Sequence, residues 1–360
     1  MNRSAQNSGT IEVRDAHRFD AAKLEQWLSE AVEGFAGPLG VEQFKGGQSN
    51  PTYKLITPLR SYVMRRKPPG KLLPGAHAVD REYRVIEALG RAGFPVARAL
   101  ALCEDESVVG TAFYVMAMVE GRIFWEAALP EVNASQRPAY FDAMNATIAA
   151  LHMIDPEAVG LGDYGKPGNY FERQVGRWSK QYLQDAAAGR VPAMDRLVEW
   201  LPLNIPADAM DSGAEARIIH GDFRCDNMIF DSREPKVLAV LDWELSTLGH
   251  PLADFAYHLM MYRMPAGITA GLVGLNLAAL NIPTEAGYVD AYCRRTGRSG
   301  IPDLDFYIAF NMFRLAAILH GIKGRLARGT AASAHAGTMV ANLDGLAELA
   351  WTQAKRAGAG

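Results

Sequence analysis

Cysteine is scarce in this sequence, and that scarcity excludes several classes of protein. The 360 residues contain three cysteines, Cys103, Cys225 and Cys293, which are widely spaced and odd in number. This pattern provides neither a disulfide framework nor a C-x-x-C metal site. Free thiols persist in a reducing compartment, so we expect a cytoplasmic protein.

Long apolar runs and an excess of positive charge are also missing. No apolar run approaches the roughly 18 residues of a membrane-spanning helix, and residues 1–10 lack the apolar core of a signal peptide. The net charge is −3 and the isoelectric point about 6.3, which does not support nucleic acid as a global partner. We therefore expect neither a membrane nor a nucleic acid to be a partner.

Two common nucleotide-binding fingerprints can be excluded. The Walker pattern G-x-x-x-x-G-K-[ST] does not occur in the sequence. Residues 160–165 match G-x-G-x-x-G letter for letter, but they follow a helix-patterned stretch and precede the loop-forming residues 166–168. The dinucleotide fingerprint requires a strand before it and a helix that starts within it. The sequence therefore excludes a Walker-type ATPase and gives no dinucleotide-binding fingerprint.

The length and the order of the patterns predict two lobes. A chain of 360 residues exceeds the roughly 250–300 at which a single core usually stops growing. Strand patterns separated by turns occupy much of residues 41–119, whereas helical patterns dominate from residue 140. We predict a flexible tail over residues 1–18, an N-terminal lobe over 19–120 and a helical C-terminal lobe over 121–360. The predicted fold class is α+β.

The most informative stretch reads H-G-D-F-R-C-D-N over residues 220–227, directly after a short apolar segment. Asp242 comes fifteen residues after Asn227, at the end of a second apolar run. Asp222, Asn227 and Asp242 offer the hard oxygen atoms that Mg²⁺ prefers. Their spacing also matches the protein-kinase catalytic loop and the D-F-G aspartate that follows it. The stretch therefore predicts a phosphoryl-transfer centre.

Candidate nucleotide contacts precede this centre. A glycine pair between two strand patterns lets the main chain approach a phosphate closely, although a plain hairpin turn is the alternative. Side chains alternate along a strand, so Arg65 and Lys67 point the same way and either can meet the phosphates. Glu82, on an amphipathic helix, can hold that cation in place. The candidate nucleotide-binding residues are Gly46, Gly47, Gln48, Ser49, Asn50, Arg65, Lys67, Glu82 and Met118.

These motifs resemble those of aminoglycoside phosphotransferase-type kinases in the protein-kinase-like superfamily. The resemblance extends from about Val41 to the last helix and is strongest at residues 220–227 and 241–254. It implies a bilobal kinase-like fold with a small β-sheet N-lobe and a mostly helical C-lobe, with ATP and Mg²⁺ as cofactors. It also implies roles for individual residues: Asp222 as catalytic base, Asn227 and Asp242 as Mg²⁺ ligands, and His220 and Asp254 as structural supports, with Arg224 as a further catalytic candidate.

The acceptor is expected to be a small molecule. Residues 62–70 and 81–85 are most similar to the kinase-like domains fused to, or encoded beside, acyl-CoA dehydrogenases, which implies a hydroxyacyl thioester. Residues 263–330 contain eight Arg or Lys against four acids, a balance that favours an anionic or partly apolar acceptor over a polycation. A solvated basic face would give the same count.

Several alternatives stay open at the sequence level. Arg65 stands where family members commonly have lysine, and this departure is the one feature that favours a non-catalytic pseudokinase that binds nucleotide or an acyl thioester. Arginine can nevertheless hold a phosphate through two bonds. An aminoglycoside or amino-alcohol phosphotransferase is a further alternative. The sequence also leaves open ATP against GTP, and monomer against homodimer.

Overall fold

The computed structural model describes residues 8–45, 50–70, 77–166, 168–210, 216–266, 271–330 and 336–360. The chain divides into two compact units. One, here the sheet unit, comprises Met1–Trp125, Val159–Leu161 and Cys225–Ser246. The other, here the helical unit, comprises Glu126–Ala158, Gly162–Arg224 and Thr247–Gly360.

The strands in the described residues belong to one large sheet and two small ones. Six antiparallel strands form the large sheet in the order β1-β2-β3-β4-β6-β5, β7 pairs with β10, and β8 pairs with β9. Their bounds are β1 Thr10–Ile11, β2 Gly40–Phe44, β3 Thr52–Ile56, β4 Ser61–Arg66, β5 Ala99–Cys103, β6 Phe113–Ala117, β7 Arg217–Ile219, β8 Met228–Phe230, β9 Val237–Val240 and β10 Thr247–Gly249.

The helices concentrate in the second half of the chain. Among the described residues their bounds are α1 Ala21–Ala31, α2 Val79–Arg91, α3 Glu106–Val109, α4 Arg137–Met153, α5 Tyr170–Gln184, α6 Pro192–Trp200, α7 Ala207–Met210, α8 Pro251–Leu259, α9 Glu285–Thr296, α10 Leu304–Ala327, α11 Ala336–Val340 and α12 Leu343–Arg356. Together with the sheet, they agree with the predicted α+β class.

Helix α1 covers one face of the large sheet. It begins after Asp20, whose side chain accepts hydrogen bonds from the amides of Ala22 and Lys23 at 3.0 and 3.3 Å, as an N-cap does. Leu24 and Leu28, one turn apart, belong to the same buried cluster as the strand residues of β3, β4 and β6. Burial contributes about 1.5–3 kcal/mol for each leucine.

Residues 10–17 differ from the sequence prediction. A flexible tail is predicted as far as residue 18, yet Thr10 and Ile11 pair with Phe44 and Gln43 at the edge of the sheet. A short 3₁₀ helix follows at Asp15–His17. Two paired residues are too few to produce a period in the sequence, so this strand had no detectable pattern.

Helix α10 is the central element of the helical unit. Its 24 residues pack against α5, α8 and α12. Phe171 of α5 meets three aromatic rings of α10, at centroid distances between 5.1 and 5.8 Å. Aromatic pairs of this kind contribute about 0.5–1.5 kcal/mol beyond their burial.

None of the helices within the described ranges combines the length and the apolar character that a membrane crossing requires.

Candidate active site

A buried aspartate holds the loop that carries the predicted base in the helical unit. Asp254, on α8, accepts hydrogen bonds from the amides of His220 and Gly221, each at 2.8 Å. His152 Nε2 lies 3.3 Å from the same carboxylate. Gly221 has φ +83°, a conformation that suits glycine. The loop is therefore fixed through its main chain, and Asp254 lies where a structural support was predicted.

The electrostatics of Asp254 favour its ionised form. Burial alone would raise the pKa of this carboxyl, but the hydrogen bond and charge of His152, the charge of His220 and the His220 amide outweigh burial and hold the pKa below its usual value. Asp254 is 1% exposed. A buried anion that accepts hydrogen bonds from two main-chain amides stabilises one conformation of the loop.

Asp222 is held by a tyrosine that sequence reasoning missed. Tyr257 Oη donates a hydrogen bond to Asp222 Oδ1 at 2.5 Å. The Asp222 amide donates to His220 Nδ1 at 3.2 Å, so His220 also supports the loop. Arg224 Nε lies 3.9 Å from Asp222 Oδ1, which brings the two catalytic candidates together within the helical unit.

Arg65 is the centre of a charged cluster in the sheet unit. Its Nε lies 2.8 Å from Glu82 Oε2, and its Nη2 lies 2.6 Å from Asp242 Oδ1 and 3.3 Å from Glu244 Oε2. The pairing of Glu82 with a cation of strand β4 agrees with the prediction. Glu244 was not predicted, although it stands two residues after Asp242.

Asn50 belongs to the same cluster. Its Nδ2 donates to Glu82 Oε1 at 2.8 Å, and His77 Nδ1 lies 2.8 Å from its Oδ1. Tyr114 Oη donates to Glu82 Oε2 at 3.2 Å. The predicted nucleotide contact Asn50 is thus fully buried and packed against the ion pair.

Burial and charge act against each other in this cluster. Burial alone would lower the pKa of Arg65, but Glu82 and Asp242 more than offset it and raise that pKa. Glu82 differs, since burial is the larger influence and raises its pKa to about 7, while Arg65 opposes the rise. Arg65 consequently stays cationic throughout, and Glu82 gains a proton as the pH falls below neutral.

The two predicted metal ligands flank one hairpin of the sheet unit. Strands β8 and β9 pair Met228 with Val240, and the Leu241 amide donates to the Asn227 carbonyl at 2.8 Å. Asn227 and Asp242 therefore lie at the open end of the hairpin. Asp242 adopts a left-handed conformation, with φ +64° and ψ +61°, which aspartate tolerates better than most residues.

This donor set fits Mg²⁺. One carboxylate and one amide oxygen are hard ligands, and Mg²⁺ usually takes a few such ligands while phosphate and water complete its shell. The Asp242 side chain is 35% exposed, and its Oδ1 lies 2.6 Å from Arg65 Nη2. The described residues contain no group of three or more His, Cys, Asp or Glu that could hold a metal by themselves.

The remaining predicted nucleotide-binding residues lie outside the described residues or away from the Arg65 cluster. Gly46, Gly47, Gln48 and Ser49 lie outside the described residues. Strand β4 ends at Arg66, and the Lys67 Nζ lies 4.0 Å from Asp80 rather than near Glu82. Of the two candidate cations, Arg65 is therefore the one that contacts the cluster.

Met118 directly follows strand β6 and is half-buried, so it lies at the end of the sheet that precedes the helical segments.

Four of the eight cations over residues 263–330 are paired with acids or buried. Arg263 pairs with Glu285 and Asp305, Arg295 with Asp142, and Arg328 with Asp185. Arg314 is buried, and its Nη2 donates to the Gly221 carbonyl at 2.8 Å. The count of charges omits Asp142 and Asp185, which pair with Arg295 and Arg328 from outside the counted range. It therefore gives weaker support to an anionic acceptor than the sequence suggested.

Solved structures resemble this chain over nearly its whole length. A Ralstonia eutropha protein that is provisionally named an aminoglycoside phosphotransferase is 53% identical, with a TM-score of 0.86 over 94% of this chain and 99% of that one. A thermostable mutant of aminoglycoside phosphotransferase APH(4)-Ia, in a ternary complex with ADP and hygromycin B, is 15% identical with a TM-score of 0.58 over 94% of this chain and 99% of that one. The second likeness concerns the fold alone. Both confirm the kinase-like fold.

Sequence relatives lead to the same family. Acyl-CoA dehydrogenase family member 11 of Gallus gallus is 47% identical over 334 residues, which cover 90% of this chain and 42% of the relative. The chain spans less than half the length of the curated relatives it matches. A sequence model of the phosphotransferase enzyme family matches residues 40–307. The chain belongs to this phosphotransferase enzyme family, as the resemblance of its motifs predicted.

Proposed function

We propose that this protein transfers the γ-phosphate of ATP to a hydroxyl group of a small metabolite. The observation that carries the proposal is the cluster in the sheet unit, where Arg65 contacts both Glu82 and Asp242 while Asn227 flanks the same hairpin. Arg65 would face the phosphates, and Asn227 and Asp242 would hold Mg²⁺. When bound, the ion supplies neutralisation of the negative charge on the phosphates.

Asp222 has the role of general base in this proposal. Its carboxylate accepts the proton of the acceptor hydroxyl as the oxygen forms a bond to the γ-phosphorus. The bond between that phosphorus and the β–γ bridging oxygen breaks, and ADP leaves. Asp254 and His220 hold the loop in place through the hydrogen bonds described above. Arg224, 3.9 Å from Asp222, balances the charge of the loop.

We infer that the acceptor is a hydroxyacyl thioester. The curated relatives that match 90% or more of this chain are named acyl-CoA dehydrogenase family members. A kinase segment joined to such an enzyme would act on the same acyl carrier. A second candidate acceptor is an amino sugar or amino alcohol, because a protein 53% identical to this chain is provisionally named an aminoglycoside phosphotransferase.

A product screen tests these proposals together. ATP and GTP are each incubated with Mg²⁺ and with hydroxyacyl thioesters, amino alcohols or amino sugars, and phosphorylated products are identified by mass spectrometry. We expect phosphorylated hydroxyacyl thioester with ATP. Phosphorylation of amino sugars alone would reject the inferred acceptor, and nucleotide binding without any product would favour a non-catalytic binding module.

Replacement of the base provides the test of the mechanism. Asp222→Ala should lower the transfer rate by about 10²–10⁴-fold, which is the usual contribution of a positioned general base. Nucleotide affinity should stay within about twofold, because the nucleotide contacts are assigned to other residues. Asp231→Ala, which removes a partly exposed acid from the β8–β9 turn, is the control. Full turnover in Asp222→Ala would remove this residue from the mechanism.

A further inference from the structure

Tyr257 makes a contact with the proposed base that the mechanism above does not use. Its Oη donates to Asp222 Oδ1 at 2.5 Å, and the tyrosine is 9% exposed. Burial and, next, the negative charge of Asp222 raise the pKa of the Tyr257 phenol far above its ordinary value. The hydroxyl therefore remains protonated and can always donate. A hydrogen bond to an ionised acceptor is roughly twice as strong as one between neutral groups.

Helix α8, which carries Tyr257, contacts successive residues of the loop that carries Asp222. Asp254, Tyr257 and His258 stand at positions i, i+3 and i+4 of α8, and such positions share one face of a helix. Asp254 holds the His220 and Gly221 amides, and Tyr257 holds the Asp222 side chain. The His258 ring packs edge-on against Phe223 at 5.2 Å. One helical face thus fixes four consecutive loop residues.

Arg314 holds Tyr257 from a second helix. Its guanidinium lies 5.3 Å from the centroid of the Tyr257 ring, a cation–π distance. The same guanidinium donates to the Gly221 carbonyl at 2.8 Å. Arg314 is 8% exposed and belongs to the long buried helix α10. The tyrosine ring and the loop main chain are therefore linked by one rigid cation.

We propose that Tyr257 is a positioning residue, which fixes the orientation of the Asp222 carboxylate toward the acceptor hydroxyl, with Arg314 keeping the tyrosine and the loop in register. The proposal rests on the function proposed above, because Tyr257 acts only through the base. A base must lie within hydrogen-bond reach of the proton that it removes. A displacement of about 1 Å can cost on the order of 100-fold in rate.

The first test removes only the hydroxyl. Tyr257→Phe should lower kcat about 10-fold, since the loss of one hydrogen bond to a charged group is worth about that factor, while KM for the nucleotide stays within about twofold. Tyr262→Phe is the matched control, because its buried hydroxyl donates to the Pro283 carbonyl at 3.0 Å. The control should retain the wild-type kcat. Wild-type kcat in Tyr257→Phe would overturn the proposal.

The second test asks whether Tyr257 acts through Asp222. In an Asp222→Ala background, Tyr257→Phe should have no further effect on the residual rate, because residues that act as one unit are not additive. A tyrosine with a merely structural role would lower both rates by the same factor, and that result would overturn the proposal.

Thermal unfolding gives a readout that does not depend on catalysis. Tyr257→Phe should lower Tm by about 2–4 °C when Asp222 is present and by less when Asp222 is alanine. Equal shifts in the two backgrounds would reject the contact. If the contact is verified and no acceptor is phosphorylated, then the proposed function fails and the positioning role fails with it, while the hydrogen bond stands.

Discussion

Glu82 in the sheet unit and Asp254 in the helical unit are both buried carboxylates, yet their surroundings shift their pKa values in opposite directions. Glu82 pairs with the side chain of Arg65, and its pKa rises to about 7 because burial outweighs the pair. Asp254 is bound by two main-chain amides and by His152, which outweigh its burial, and its pKa falls. The main-chain amides of the loop keep Asp254 ionised. Arg65, in contrast, is shared by three carboxylates, and one of these, Glu82, can take up a proton near neutral pH.

The largest effect is expected when the cation that pairs with Glu82 is removed. Arg65→Met leaves Glu82 buried without its cation, and removal of one partner of a buried ion pair typically costs about 3–5 kcal/mol. The free energy of unfolding, measured with urea at pH 8, should fall by that amount, and nucleotide binding should be lost.

Arg66 offers the matched control for this variant. It is the next residue of β4, and it is 2% exposed, but its Nη1 donates to the Val109 carbonyl at 3.0 Å and its guanidinium lies over Phe19. Arg66→Met therefore leaves no buried anion behind, and it should cost less than Arg65→Met. An equal loss in both variants would show that the length of the buried side chain matters more than the carboxylates.

The next largest effect is expected when Asp254 can no longer accept both loop amides. Asp254→Asn keeps the shape of the side chain but directs an amide group at a loop N–H that needs an acceptor. We expect a loss of about 2–3 kcal/mol of unfolding free energy and a fall in kcat, because the loop carries Asp222.

Asp231→Asn is its control, since Asp231 Oδ1 also accepts two amides, from Arg233 at 2.8 Å and Glu234 at 3.0 Å, but at an exposed turn. The exposed variant should be much milder. Similar losses would mean that burial does not set the strength of these bonds.

The smallest effect is a dependence on pH. Because the folded pKa of Glu82 is about 7 and its ordinary value is 4.5, the folded state binds the proton more tightly than the unfolded state. Its contribution to stability is therefore present below about pH 4.5 and is lost as the pH rises to about 7. Glu82→Gln should remove this change, which is on the order of 1–3 kcal/mol.

The measurement compares wild type with Glu82→Gln in urea unfolding at several pH values between 4.5 and 8. Their difference in unfolding free energy should shift in favour of the variant as the pH rises. Glu87→Gln on the exposed side of α2, where Glu87 pairs with Arg91 at 3.2 Å, should show a smaller change. A constant difference for Glu82→Gln would mean that Glu82 stays ionised throughout this range.

The sequence predicted the secondary structure well where periodic patterns were long. The helical spacing of apolar residues over 304–326 predicts one helix, which is observed at Leu304–Ala327. The extended pattern over 61–65 predicts a strand, which is observed at Ser61–Arg66. Such periods arise because one face of a helix or strand is buried, and they can be read directly from the sequence. The pattern over residues 335–354 predicts one closing helix, but the structure has two, which are separated between Val340 and Leu343. A helical period does not reveal so short a break.

The partners of the candidate site residues were much harder to predict. Arg65 and Asp242 are 177 positions apart, and no local pattern connects them. Motif spacing indicated Asp222 and Asn227, but Tyr257 and Arg314 carry no motif of their own. A signal for Tyr257 existed in its position one turn after Asp254 on α8, since that spacing places both side chains on one helical face.

The left-handed backbone at Asp242 determines which substitutions can test the role of its side chain. An ordinary side chain pays roughly 1–2 kcal/mol in that conformation, so an alanine variant would combine lost chemistry with a strained turn. Asparagine tolerates the same backbone and removes only the charge. Backbone geometry and side-chain chemistry therefore both restrict position 242. In a saturation library at this position, glycine and asparagine should give the most stable folded variants, and fewer residue types should support phosphoryl transfer than support folding.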